Sequence, residues 1–391
     1  MAPVVLWKES MEKKIACLIS CSDHYNHRLN VPAQYLCSRG YEVTYITSDF
    51  DHVSKERYCC NVPGCVQLQA RPYRKNLSFA RVWSHRQFAR DVFRYLEKMP
   101  QEPDLLVMLL PPNFLAKYAA AYKKKHPHVR LIFDIFDLWP ETFPSSVARK
   151  LMVPVFRIWS GLRDNHLYAA DHIITECELF RQRLGLKESD ASVVHLGADA
   201  LTGDIPAQLS DSRWDLCYLG SINNIIDIPR IGSLLKELAK SRSVTLHIIG
   251  TGERLEELMT SARTNGAEVI YHGAVYDDLE KLNIMSRCHF GLNILKESVC
   301  IGLTMKSVEY WRMGLPIINN VPADTAQLVQ EYNCGIALDE ACANGLQGLD
   351  MNWCMQMRKN ARNLFNACFA RNVIDRQYAQ LLDDVIRECY E

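Results

Sequence analysis

Short apolar runs alternate along the chain with longer stretches in which apolar residues recur every three or four positions. The first pattern is that of strands covered on both faces, the second that of amphipathic helices. Residues 14–21 predict a strand, 31–39 a helix with Gly40 as its C-cap, and 42–47 the next strand. Further strands are predicted at 105–110, 130–136, 172–175 and 193–195. Residues 199–213 are polar, contain Gly203 and Pro206, and read as a linker. The alternation then restarts, with strands at 216–219, 245–249, 268–271, 290–295 and 316–319. Helices are predicted at 230–240, 252–264, 276–285, around Lys306, and over 354–390. This order predicts right-handed βαβ units and parallel sheets with helices on both faces. A chain of 391 residues exceeds one ordinary core. The expectation is an α/β protein of two doubly wound, Rossmann-like domains facing a central cleft. They span residues 1–205 and 206–365, and a C-terminal helix over 366–391 packs back toward the first domain. Ligands of such sheets bind at the carboxyl ends of the strands.

Composition, at 48% hydrophobic and 23% charged, is that of a folded soluble protein. Formal net charge is zero, but residues 1–205 hold 27 Lys and Arg against 22 Asp and Glu, and the remainder has the opposite excess. A basic half suits an anionic partner, either a phosphate or a membrane surface. The charge is small and no recognition motif is present, which argues against nucleic acid. None of the 15 cysteines forms a C-x-x-C pair, and the cluster Cys59, Cys60 and Cys65 lacks histidine at zinc-ligand spacing. They read as buried free thiols in a reducing cytosol. No apolar run approaches the ~20 residues that cross a bilayer. The apolar run at residues 4–7 is too short for a signal peptide, and Met11 is an alternative start.

The densest candidate chemistry lies in Thr304-Met305-Lys306-Ser307-Val308-Glu309-Tyr310, which leads to Gly314-Leu315-Pro316. A lysine near a helix N-terminus meets phosphate by charge and by free N–H groups. Glu309, at i+3, can accept hydrogen bonds from sugar hydroxyls; the alternative is a solvated i,i+3 pair. The polar loop Ser22-Asp23-His24-Tyr25-Asn26-His27-Arg28 follows the first strand, and its His24, His27 and Arg28 are placed to meet an acceptor or phosphates. Asp137 and Glu141 either cap the turn near Pro140 or act at the cleft, binding the acceptor or assisting proton transfer. Arg71, Arg74, Lys75, Arg81, Arg86, Arg90 and Arg94 form a basic stretch, either a solvated face or a grip on pyrophosphate or anionic lipid. Residues 151–162 are apolar with arginines at intervals and fit a core helix or an interfacial one. His247 and His289 read as core histidines.

Several segments occur in the order seen in GT-B glycosyltransferases. They are Tyr218-Leu219-Gly220-Ser221-Ile222, Ile248-Ile249-Gly250-Thr251-Gly252-Glu253, His272-Gly273-Ala274-Val275, and the Lys306 segment. The chain most resembles family 4, the retaining enzymes of polysaccharide and glycolipid assembly. In the first half, Asp137-Leu138-Trp139-Pro140-Glu141 is similar to a step of bacterial capsule and O-antigen members; Ala170-Asp171-His172-Ile173-Ile174-Thr175 and Leu196-Gly197-Ala198-Asp199 also fit. The resemblance implies a GT-B fold and transfer of a hexosyl group from a UDP- or GDP-sugar to a saccharide or lipid-linked acceptor, with retention, in cell-surface polysaccharide synthesis. It implies a cytoplasmic protein, in possible peripheral contact with the inner face of the membrane, and no metal.

Carried over by position, the resemblance implies that Glu309 binds the ribose and Lys306 the diphosphate, with the backbone of Thr304, Met305 and Ser307 helping. It places Gly220 and Ser221 under the phosphates, Gly250 near the nucleotide, and Val275 and Tyr276 beside the base. Asp137, His24 and Lys306 are the expected catalytic residues, and His27, Arg28 and Glu141 the expected acceptor contacts. Two positions depart from the pattern. The first glutamate of the family's Glu-x7-Glu pair is Ile301, with Lys296 and Glu297 upstream as substitutes. The basic residue usual after the loop glycine is Ser221, leaving Arg230 as the nearest replacement. These departures motivate two other readings, a non-catalytic GT-B partner and a GT-B nucleotide-sugar epimerase.

Overall fold

The computed structural model describes residues 13–22, 26–52, 54–75, 78–143, 152–201, 203, 206–339 and 351–387, the side chains of Asn26 and His27 excepted. Two parallel sheets organise it. The first contains β1 (Ile15–Ile19), β2 (Glu42–Ser48), β3 (Cys65–Leu68), β4 (Leu105–Leu110), β5 (Arg130–Ile135), β6 (His172–Thr175) and β7 (Ala191–Val193), in the order β3-β2-β1-β4-β5-β6-β7. The second contains β8 (Arg213–Leu219), β9 (Ser243–Ile249), β10 (Ala267–Gly273), β11 (Phe290–Asn293), β12 (Ile317–Asn319) and β13 (Gly335–Ala337), in the order β10-β9-β8-β11-β12-β13. Every position of β4 and of β11 is buried, as expected of central strands covered on both faces. The strand order reverses between β1 and β4 and again between β8 and β11. Crevices at such reversals, outside the carboxyl ends, are where open α/β sheets take ligands.

The second crossing between domains falls at a helix break. The Met351–Cys368 helix packs on the Met305–Arg312 helix of the second domain. The chain turns at Phe369 and Ala370, and the Arg371–Arg387 helix packs on the first-domain Asn26–Ser38 helix. The return therefore begins at residue 369 rather than 366. The two crossing segments hold each other: the Ala198 amide donates to Phe369 O at 3.0 Å and the Arg371 amide to Ala198 O at 3.0 Å.

Of the basic stretch, Arg71, Arg74 and Lys75 are exposed ahead of the Phe79–Leu96 helix, which carries Arg81, Arg86, Arg90 and Arg94 and is capped by the Ser78 side chain. Arg81 and His85 share its buried face with Phe88, Val92 and Leu96, while Arg86 and Arg94 are exposed. It is thus neither a wholly solvated face nor a single cationic patch. Residues 153–164 bury Phe156, Trp159 and Arg163 but expose Val153, Val155 and Ile158, so this helix is core on one side only. His247 and His289 are buried as read; the described cysteines form no disulfide, but Cys37 and Cys59 are exposed rather than buried. Among the described residues no helix is long and apolar enough to cross a membrane.

Candidate active site

The carboxyl ends of β8, β9 and β10 close into interlocked glycine turns. Gly220 (φ +106°), Gly250 (φ +139°) and Gly273 (φ +72°) all lie in the region that side chains disfavour. A Cβ on Gly250 would stand 2.1 Å from Gly220 O, and one on Gly252 2.2 Å from Ile222 O. The Gly220 amide donates to Ile249 O at 2.8 Å, Ile222 N to Thr251 O at 2.9 Å, and Gly250 N to Gly273 O at 2.7 Å. The result is a floor of bare backbone.

The Met305–Arg312 helix starts beside this floor. Thr304 is its N-cap, accepting from Ser307 N at 3.1 Å while its hydroxyl donates to Asn293 Oδ1 at 3.0 Å. Asn293 in turn donates to Asn319 Oδ1 at 2.8 Å, so the cap is anchored to β11 and β12. The amides of Met305 and Lys306 belong to the first turn, which has no intrahelical acceptors. Lys306 reaches over the Tyr218 ring, 4.5 Å from its centroid, with Nζ 3.3 Å from the hydroxyl. Desolvation alone lowers its ammonium to about 8; among the described residues no carboxylate offsets it. A desolvated cation without a counter-charge is costly unless an anion completes it.

Glu309 is placed differently from its simple i+3 reading. Lys281 Nζ pairs with its Oε1, and Arg312 Nη1 lies 3.4 Å from both oxygens. Lys281 and Arg312 also hold Asp278, which their hydrogen bonds bring down to about 2. Glu309 thus sits in a four-membered ion cluster at the head of the Asp278–Met285 helix. A carboxylate has about four acceptor sites, so ribose hydroxyls can join this cluster but do not find a free carboxylate. Ser307 is fully buried with its hydroxyl turned to Thr304 O at 2.7 Å, which removes that side chain from donor contact. Met305 is half exposed, Ser221 is exposed, Val275 packs on the core, and Tyr276 is 87% exposed. Arg230 is engaged elsewhere, with Glu297 at 3.2 Å and Leu338 O at 3.0 Å. Arg230 and Glu297, the candidates for the missing basic residue at Ser221 and the missing glutamate at Ile301, are thus paired with each other. Ile301 packs against the second-domain core.

On the first-domain side, Asp137 follows β5 and accepts from the Thr142 hydroxyl at 2.7 Å. Burial raises it to about 6, against the pull of that hydrogen bond, Arg81 and Arg163. Glu141 lies close by, but Arg163 holds both of its oxygens, at 2.8 and 3.4 Å, so a structural pairing accounts for it. Arg28 is a correction: its Nε meets Asp134 Oδ2 at 2.7 Å, both side chains are 1–2% exposed, and Tyr378 Oη donates to the same oxygen at 2.8 Å. It fastens the last helix to β5 instead of facing an acceptor. His24 lies outside the described residues, as does the side chain of His27.

Glu176, at the carboxyl end of β6, belongs with this group. Its amide donates to Ile135 O at 3.1 Å and its carbonyl oxygen lies 2.8 Å from His195 Nδ1. Burial, together with Asp137, Asp134 and Asp324, raises its carboxyl to about 8 despite Arg28. Asp137 and Glu176 therefore titrate well apart from ordinary carboxylates, a mark of functional sites. The strand-end rule was the available signal for Glu176. Asp324 crosses from the second domain, accepting from the amides of Glu178 at 2.6 Å and Leu179 at 3.0 Å. Among the described residues no group of three or more His, Cys, Asp or Glu is placed to hold a metal ion.

Residues 214–348, which include the glycine turns and the Lys306 helix, match the family described as glycosyl transferases group 1. The chain has the GT-B fold, and its second domain carries the group 1 glycosyltransferase match. Sucrose-phosphate synthase from Thermosynechococcus elongatus superposes with a TM-score of 0.68 at 15% identity, over 96% of this chain and 100% of that one. The lipopolysaccharide outer core galactosyltransferase WaaB gives 0.63 at 16%, over 96% and 99%. Anabaena HepE, in complex with UDP and glucose, gives 0.60 at 14%, over 95% and 100%. No curated protein sequence matches the chain.

Proposed function

We propose that the protein transfers a hexosyl group from a UDP- or GDP-sugar to a saccharide or lipid-linked acceptor, with retention, as a family 4 enzyme of cell-surface polysaccharide synthesis working in the cytoplasm. The observation that carries this reading is the half-buried, desolvated Lys306 ammonium. Among the described residues it has no carboxylate partner, and it lies beside bare backbone and a capped helix N-terminus. A diphosphate supplies the missing charge. HepE, which shares the fold, holds UDP and glucose, which favours a uracil nucleotide.

In the proposed step the bond from the sugar's anomeric carbon to the diphosphate oxygen breaks. The acceptor oxygen bonds that carbon on the same face, and its proton passes to the departing diphosphate. Lys306 and the amides of Met305 and Lys306 stabilise the negative charge as it grows, the kind of electrostatic contribution that dominates such reactions. Neutralisation of the diphosphate is thus assigned to the protein's own groups rather than to a metal. Asp137 and Glu176 are the proposed contacts to the acceptor hydroxyl.

Ile301 and the paired state of Glu309 favour one second reading, a GT-B partner that binds a nucleotide-sugar without turning it over. Specific binding of a ligand raises apparent stability. The test is a thermal-shift series over UDP, GDP and their hexose conjugates, followed by product analysis. Stabilisation with sugar transfer supports the first reading, stabilisation without turnover the second. Absence of any nucleotide effect would overturn both.

A further inference from the structure

A second cleft lies at the domain seam, at the edge of the acceptor side. It has a volume of about 390 Å³ and is lined by Pro140, Val153, Phe156, Arg157, Arg183 and Cys300 among others. Cys300 comes from the second domain, four residues before the Thr304 cap, so the cleft runs along the seam toward the donor site. Its walls are apolar and its rim carries two arginines. Both side chains are exposed, and among the described residues neither guanidinium has an ion pair. Neighbouring arginines differ: Arg163 holds Glu141 and Asp164, and Arg181 holds Glu178. Glu141, the acid of the lining, is already neutralised by Arg163. The cleft is thus apolar within and cationic at its edge.

The surface beside it is apolar too. The Val153–Asp164 helix exposes Val153, Pro154, Val155 and Ile158 around Arg157, with Ile158 at 72%. The Phe79–Leu96 helix adjoins it: Arg81 stacks on Trp139 at 4.7 Å, and Trp139 meets Trp159 at 6.0 Å. That helix exposes Phe79 at 87% and Trp83 at 52%, with Arg86 over the Trp83 ring. Aromatic, aliphatic and arginine side chains in this mixture suit the boundary between lipid chains and headgroups. A soluble saccharide has no use for such a border.

We propose that this cleft is the acceptor site for a single-chain lipid phosphate or diphosphate, its anionic head gripped by Arg157 and Arg183 and its chain laid over Val153, Phe156 and the exposed face of the Val153–Asp164 helix. The inference rests on the glycosyltransferase reading and narrows its acceptor to one class. Paired guanidinium groups match phosphate oxygens in bidentate fashion. The head would then lie on the first-domain side of the seam, with the sugar-accepting end directed toward Asp137 and Glu176.

The test uses decyl phosphate, below its micelle-forming concentration, titrated into the full-length protein and followed by tryptophan fluorescence. Decyl maltoside supplies the same chain without charge, inorganic phosphate the charge without a chain, and anionic phospholipid vesicles a bilayer. Decyl phosphate is expected to bind well ahead of the two single-feature probes. The double variant Arg157→Ala with Arg183→Ala should weaken it by about tenfold or more, the scale of one lost charge-assisted contact. Melting temperature and UDP affinity should be unchanged in that variant, because both arginines are exposed and neither has an ion pair among the described residues. Equal binding of decyl maltoside, an undiminished double variant, or binding to vesicles alone would overturn the proposal. If UDP binds and decyl phosphate does not, this inference fails and the donor assignment stands; if UDP itself fails to bind, the donor assignment fails.

Discussion

Glu176 and Lys306, at the carboxyl end of β6 and the start of the Met305–Arg312 helix, carry opposite charge logic. Burial disfavours the ionised form of each, lifting the carboxyl to about 8 and lowering the ammonium to about 8. At neutral pH Glu176 is therefore mostly a neutral hydrogen-bond donor and acceptor, a state that glutamine imitates. A carboxyl raised on folding contributes stability that is full below its unfolded range and is lost as pH climbs toward 8. Glu176→Gln should match the wild type in chemical denaturation near pH 3, below the unfolded glutamate range. At pH 8 it should exceed the wild type by on the order of 1–3 kcal/mol, after allowance for partial exposure. Identical stability differences at both pH values would show that Glu176 is not desolvated as described. The lowered ammonium makes a separate statement about ligands. Anion affinity at Lys306 should fall as pH rises through about 8 in the free protein, because only the protonated form attracts phosphate.

At the scale of elements, the glycine turns and the capped helix form one assembly. Tyr310, fully buried, accepts from Leu219 N at 2.7 Å and packs where a Cβ on Gly291 would not fit, which pins the Lys306 helix beneath β8. Gly250→Ala would force a Cβ against Gly220 O at a φ of +139°. We expect a loss of several kcal/mol, the scale of a strained backbone plus a clash, and loss of UDP binding with it. A wild-type melting curve for this variant would contradict the packing of the two turns.

Much of this layer was legible in the chain. Strands such as Leu105–Leu110 and helix ends marked by Gly40 and Thr304 announce themselves because apolar runs and caps are local signals. The Phe79–Leu96 helix did not, because Arg81, Ser84 and His85 occupy its buried face and break the apolar period. Strand β3 is short and only half-buried. Side-chain pairing was the other blind spot. Arg28 meets an aspartate 106 positions away and Glu309 a lysine 28 positions away, and neither separation leaves a trace in spacing. The candidate site was thus visible as a set of residue types, while the charge state of its members was not.

At the scale of the molecule, the two sheets are joined by the paired crossings at Ala198 and Phe369 and by Asp324 bridging to the Glu178–Arg183 helix. Gly302 lets that contact close, since a Cβ there would lie 2.5 Å from Asp324 Oδ2. Asp324→Ala leaves two amides at the seam without an acceptor. We expect about 1–3 kcal/mol of destabilisation and a broader spread of interdomain separations in small-angle scattering. An unchanged scattering profile and melting temperature would show that the bridge does not hold the domains.

The central claim is that Lys306, a desolvated cation without a carboxylate partner among the described residues, is completed by the diphosphate of a nucleotide-sugar. Calorimetric titration of UDP into wild-type and Lys306→Ala protein at pH 7 tests it most directly. The account predicts measurable binding to the wild type and a loss of about tenfold or more in the variant, with an unchanged melting temperature in the absence of ligand. Equal affinity for the two proteins would contradict it.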